Sequence, residues 1–128
     1  MESQHRQKSV NLRSKQEDNL GDGDKSLALH YFEGRCCYCN VELVRESGSD
    51  NSVEFDHYQS LAEQYFSDPE LVLDGTIQNR VPSCRKCNRN KSDHQVDSWL
   101  ERTFPKRKNR IIEKIEIYFA LQEETLFR

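Results

Sequence analysis

No run of apolar residues in this 128-residue chain approaches the roughly 18 that a membrane span requires. No basic-then-apolar leader opens it, and its first residues are polar, so the reading is of an intracellular protein in a bacterial or phage-type setting, not attached to a membrane. Large apolar side chains are also scarce: 34% of residues are hydrophobic against 32% charged, which predicts a modest core. A structural metal would add folding free energy that such a core does not supply alone. Internal repeats and low-complexity tracts are absent, and the length fits one domain with a tail. Charge of one sign is lacking too, since the net charge is only -3.

What the chain does have is five cysteines, four of them in two Cys-x-x-Cys pairs, Cys36/Cys39 and Cys84/Cys87. In an intracellular protein this spacing reads as metal binding, because two tight turns each present two sulfurs to one tetrahedral zinc. Cys37 is an extra thiol between expected ligands, and backbone register favours its neighbours. The charge is unevenly spread: Asn79 to Arg110 holds ten basic and three acidic residues, +7, whereas Asn40 to Gln78 carries -8. A phosphate-binding face and a cation-attracting segment are thus separated along the chain.

Residues 1–25 cannot bury enough surface to offset their ordering entropy and read as a flexible tail. Within them, Gly21 to Ser26 superficially resembles a phosphate loop, but no glycine directly precedes Lys25, so a linker or turn is expected. Ser26 is a candidate N-cap for a short helix through Phe32, with Gly34 as its stop. Ser52 to His57 alternates Val53 and Phe55 with Glu54 and Asp56, as a half-buried strand does. Ser60 to Glu63 fits a capping box opening a helix through Phe66. Arg80 to Pro82 reads as a brief edge strand, followed by a helix carrying Asn88 and Lys91. Ser92 and Gln95 offer caps for a segment burying Val96, Trp99 and Leu100, which Phe104-Pro105 interrupts. The last helix has one apolar stripe, Ile111, Ile112, Ile115, Tyr118 and Phe119.

Taken together, Gly34 to Cys39, Glu54-Phe55-Asp56-His57, Asn79-Arg80-Val81-Pro82 and Cys84 to Lys91 closely resemble the HNH (His-Me finger) endonuclease family across about residues 34 to 93. The resemblance implies an α+β fold: a small ββα-metal core with structural zinc on Cys36, Cys39, Cys84 and Cys87, flanked by helices. The nuclease domain would span 26–105, and 106–128 would form a C-terminal helix packing on it or on an interface. By the same resemblance His57 is the general base, whose ordinary pKa suits proton transfer near neutrality. Asp56 and Asn88 would hold one catalytic Mg²⁺ or Mn²⁺ with hard oxygen donors. Asn79 would hold the loop and orient His57. Because Asn88 stands where many relatives have histidine, this is the H-N-N form. Tyr58-Gln59-Ser60 after His57 departs from the hydrophobic-Pro sequence common there.

The implied activity is metal-dependent hydrolysis of phosphodiester bonds in double-stranded DNA, nicking one strand per active site. Arg85, Lys86, Arg89 and Lys91 would clamp phosphates, and Lys106, Arg107, Lys108 and Arg110 extend the basic run. Two other readings stand beside it. One is a noncatalytic zinc module that binds nucleic acid or protein; the other is a nuclease subunit of a phage, mobile-element or defence assembly, working as a homodimer or with a partner subunit. Glu54, two residues before Asp56, can share its strand face and is a further candidate ligand, though exposure is the simpler expectation.

Overall fold

A computed structural model describes residues 22–59 and 79–126. Along the chain run α1 (Asp22–Tyr31), β1 (Val53–His57), β2 (Arg80–Cys84), α2 (Arg85–Lys91), α3 (Val96–Thr103) and α4 (Lys108–Leu126). Among the described residues this is a small α+β arrangement of four helices and one antiparallel two-stranded sheet. The helix read from Ser60 to Phe66 lies outside the described residues, as does the tail up to residue 21.

Helix α1 starts earlier than the sequence suggests. Asp22 to Lys25 is helical, not a linker, so Ser26 lies inside the helix and does not cap it. Asp24 stands in the first turn, where the exposed N–H groups favour an acidic side chain. The C-terminal stop is shared: Glu33 (φ 58°) turns left-handed before Gly34 (φ 69°). The Gly34 N–H then reaches back to Leu29 O at 2.8 Å and the Glu33 N–H to His30 O at 3.1 Å, the paired closure of a Schellman cap.

The strands pair in a register that sets Val53 opposite Cys84, Phe55 opposite Pro82, Asp56 opposite Val81 and His57 opposite Arg80. Pro82 is tolerated in mid-strand because its carbonyl accepts the Cys37 N–H at 2.9 Å on the side away from β1. Its missing N–H faces that same outer side, so the ladder loses nothing. The first cysteine loop therefore docks on the free edge of β2. Burial along β1 inverts expectation: Val53 and Phe55 are only half-buried, and Asp56 and His57 are buried. The first cysteine loop and α2 cover the polar end of the strand, as described below.

Helix α2 begins directly where β2 ends, with Cys84 as its N-cap. Gln95 caps α3 by accepting the Ser98 N–H at 2.9 Å, and Val96, Trp99 and Leu100 are its buried residues. Phe104 ends α3 by turning out of helical geometry ahead of Pro105, which disfavours a helical residue before it.

The core joins all of these elements. Trp99 meets Tyr38 edge-on at 5.1 Å and Phe104 at 5.8 Å, and its indole N–H donates to Asn90 at 2.8 Å. On α4, Ile111, Ile115 and Tyr118 are buried, with Ile112 and Phe119 packed beside them. Tyr118 closes on Phe32 at 5.2 Å and Tyr31 at 5.1 Å, and the Tyr31 hydroxyl donates to Lys114 O at 3.1 Å. Helix α4 is thus part of the core that contains α1. Ile115 is fully buried, so Ile115→Ala is expected to cost about 2–5 kcal/mol in denaturant unfolding. A loss below about 1 kcal/mol would show that α4 is not integral to that core.

Candidate metal centre and active site

The sulfurs of Cys36, Cys39, Cys84 and Cys87 all lie within 4.8 Å of one another, and Cys39 and Cys84 are 3.7 Å apart. A zinc ion with four bonds of about 2.3 Å requires sulfur–sulfur edges of about 3.8 Å, so the donor set fits such an ion closely. Backbone geometry prepares both turns. Cys36 Sγ accepts the N–H groups of Tyr38 (3.4 Å) and Cys39 (3.5 Å), and Cys84 Sγ accepts that of Cys87 (3.3 Å). Asn40, in left-handed conformation at φ 68°, folds the first turn back so that Cys36 N–H reaches Val41 O at 2.9 Å. Cys37 stands outside the cluster; it is buried, and burial pushes its pKa well up.

Thiol titration carries the same message. Hydrogen bonds from the thiols of Cys37, Cys39 and Cys87 hold Cys36 well below the ordinary thiol range. Cys39 is pushed up to about 11, and Cys87 is raised as well, chiefly because each binds its proton in a hydrogen bond to Cys36. Thiolates this close repel one another unless a cation joins them, and a divalent ion would displace the shared protons. The cluster can therefore hold a structural metal such as zinc.

Beside this cage lies a buried polar network. Strand alternation puts Glu54 and Asp56 on one face of β1, and α2 approaches that face. Lys91 is fully buried, with Nζ 3.1 Å from Asp56 Oδ2 and donating to His57 O at 2.8 Å. The Tyr38 hydroxyl donates to the same Asp56 Oδ2 at 2.7 Å. Burial raises the Asp56 pKa, opposed by the charge of Lys91 and the bond from Tyr38. One turn earlier on α2, Asn88 Nδ2 donates to Glu54 Oε1 at 2.7 Å, and Arg89 lies 4.0 Å from the other Glu54 oxygen. Glu54 is thus neither free nor simply exposed: it orients Asn88.

His57 faces its cross-strand partner Arg80, whose Nη1 is 3.0 Å from Nδ1 and 2.8 Å from Nε2. A guanidinium only donates, so a hydrogen bond between the two requires a ring nitrogen that accepts. Asn79 is buried; its Oδ1 accepts the Gln59 N–H at 2.9 Å, its Nδ2 donates to Gln59 O, and its carbonyl accepts the Tyr58 N–H at 2.8 Å. It pins the backbone immediately after His57.

The four expected phosphate clamps do not share one fate. Lys86 and Arg89 are exposed, and Arg85 donates to Gly48 O at 3.0 Å from a half-buried position. Lys91 is a correction: with its ammonium sealed against Asp56 and His57 O, it has no surface to offer a phosphate. Sequence reading missed Tyr38 and Arg80 as site residues. The position of Tyr38 inside the first Cys-x-x-Cys turn, and the cross-strand register of Arg80, were the signals available. Comparison with protein-family models, curated proteins and solved structures finds no match to this chain.

Two predictions follow from the cage and the network. Under reducing conditions the purified chain is expected to carry one tightly held metal ion, with Cys84→Ser losing it and melting at a lower temperature. Metal analysis that finds none, or an unchanged melting temperature in Cys84→Ser, would overturn the assignment. Lys91→Met strands a buried carboxylate and is expected to cost about 3–5 kcal/mol in urea unfolding. Asp56→Asn should cancel much of that penalty; if the two losses simply add, the pair is not coupled.

Proposed function

We propose that this chain is a metal-dependent endonuclease of the HNH type that hydrolyses DNA phosphodiester bonds, nicking one strand per site. The observation that carries the reading is one juxtaposition. Asp56 and His57 end a strand whose hairpin partner leads straight into the helix bearing Asn88, and the four-sulfur cage sits at that junction. The order of strand, strand and helix agrees with the ββα-metal core that the resemblance implies.

In this reading Asp56 and Asn88 would hold the divalent ion; Asp56 Oδ1 and Asn88 Oδ1 are the oxygens of theirs that make no hydrogen bond among the described residues. Glu54 fixes the Asn88 amide so that its NH₂ points to the carboxylate and its oxygen elsewhere. When bound, Mg²⁺ or Mn²⁺ supplies stabilisation of the charge that grows on the phosphate and the leaving 3′ oxygen. His57 takes a proton from the water that attacks phosphorus. Arg80 must leave the ring nitrogen for that transfer, and an incoming phosphate offers the guanidinium a better acceptor. Asn79 keeps the His57 backbone in place, and Lys86 and Arg89 meet the DNA backbone.

One observation favours a second reading, a noncatalytic zinc module binding nucleic acid or protein: Lys91 already neutralises Asp56, and Arg80 already meets His57. Plasmid cleavage separates the two. The native protein is expected to nick supercoiled DNA with Mg²⁺ or Mn²⁺ and not with chelator. His57→Ala should slow cutting by about 10²-fold or more while keeping its cage metal and melting temperature. Undiminished cutting by His57→Ala would sink the mechanism, and no cutting by the native chain would leave the binding module.

A further inference from the structure

The basic run that leads into α4 and fills its first turn splits in the folded chain. Lys108 is held by Asp97 and Glu101, at 3.1 Å each, and so contributes no free charge. Arg107 and Arg110 instead turn to a groove of about 620 Å³, where Lys114 joins them. The opposite wall of this groove is the first cysteine turn, including Cys37, Cys39 and Asn40, with Phe32 and Ile111 in its lining. No acidic residue lines it, and none of the three cations lies within salt-bridge distance of a carboxylate among the described residues. Two of them are propped on aromatics: Arg107 is 5.9 Å from the Phe104 ring, and Lys114 is 5.9 Å from Tyr31 and 5.5 Å from Phe32.

We infer that this groove is a second nucleic-acid contact, gripping the sugar-phosphate backbone of one strand outside the Asp56–His57 site; it rests on the nucleic-acid part of the proposed function. Three arguments converge. Arg107, directly before α4, and Arg110 and Lys114 on it lie at i, i+3 and i+7, so they form one row along the start of the helix, about 10 Å long at 1.5 Å per residue. Strand phosphates recur about every 3.4 Å of duplex axis, so such a row faces about three of them. The surface is concave, which fits a backbone ridge better than a flat bilayer. It also adjoins the site: the turn that lends Cys37, Cys39 and Asn40 to the groove sends Tyr38 inward to Asp56. A strand lying in the groove would therefore be registered against the catalytic carboxylate through the cysteine cage.

A competing role exists for the same cations. A zinc ion with four thiolates carries net negative charge, and nearby guanidinium and ammonium groups would balance it. The experiment separates these roles. In the full-length His57→Ala background, affinity for a mixed-sequence 20-base-pair duplex is measured against salt, with metal content determined in parallel. Arg107→Gln/Arg110→Gln/Lys114→Gln is compared with the unsubstituted background and with Lys86→Gln/Arg89→Gln. Arg107→Gln/Arg110→Gln alone guards against loss of the Lys114 packing.

The expected result is that the triple variant flattens the slope of log affinity against log salt by about 2 to 3 units and the double variant by about 2, with metal content unchanged. Duplex affinity at moderate salt should fall by about tenfold or more. Unchanged slopes, or loss of metal with unchanged duplex affinity, would overturn the inference. Groove variants that bind duplex normally but lose phosphatidylserine vesicles or polyglutamate would also overturn it. If the unsubstituted background binds no duplex, the nucleic-acid reading itself fails; if only Lys86→Gln/Arg89→Gln changes the slope, that reading stands and the groove does not.

Discussion

Two Cys-x-x-Cys turns meet where Cys39 and Cys84, 45 residues apart, bring their sulfurs to 3.7 Å, and a metal ion shared by both would hold the ends of that long loop together. In the chain-entropy picture, a cross-link over a loop of that size is worth about 4 kcal/mol, a large share of what a domain with few apolar residues has to spare. Placement matters as much as energy. The first turn lies on the free edge of β2 through Cys37 N–H and Pro82 O, and it sends Tyr38 beneath β1 to Asp56. The second pair starts at the last residue of β2, and Cys84 also caps α2. Fixing these four sulfurs therefore fixes where α2 lies against β1. Asn88 then meets Glu54, and Lys91 meets Asp56.

The Asp56–Lys91 pair is best understood as a register device. A buried ion pair gains little net stability, since the desolvation of both charges offsets their attraction. What it does exclude is misplacement: shifting α2 by one residue would leave a carboxylate and an ammonium both buried and unpaired. Lys91 also donates to the His57 carbonyl, so one ammonium ties the last turn of the helix to the last residue of the strand. Tyr38 completes the lock from the cysteine turn, and its ring packs on Trp99 of α3. The cage, the strand end and the aromatic core are thereby a single connected unit.

How much of this was legible in the sequence depends on the range of the signal. Cys-x-x-Cys spacing is local and self-explaining, and both pairs were readable, as were β1, β2, α3 and the apolar stripe of α4. The caps were only partly so. Gln95 does cap α3, but Ser26 does not cap α1, because acidic residues upstream let the helix begin earlier. Lys91 shows the limit most clearly. Lysine in a basic run reads as a surface charge, and only the approach of α2 to Asp56 reverses that. Glu54 could be placed on the Asp56 face but not paired with Asn88, and the parts of Tyr38 and Arg80 were likewise hidden, since each takes its role from a partner that is distant in sequence.

Charge followed a similar course. The sequence separates a -8 stretch from a +7 stretch, yet the fold interleaves them: Glu54 lies against Arg89 and Asp56 against Lys91. The acidic stretch is thus no uniformly negative face in the described part, and the basic stretch is no single cationic one. Among the cations that stay available are Lys86 and the largely exposed Arg89 on α2, and the row of Arg107, Arg110 and Lys114 beside the cysteine turn. These fall on two elements that meet at the cage. A net charge of -3 is consequently no obstacle to a polyanionic ligand, because fields at a concave surface are set by the charges lining it and distant ones are screened within about 10 Å. The cage would then do more than staple the fold: by holding α2 and the first cysteine turn in fixed relation, it fixes the spacing between the two cationic surfaces.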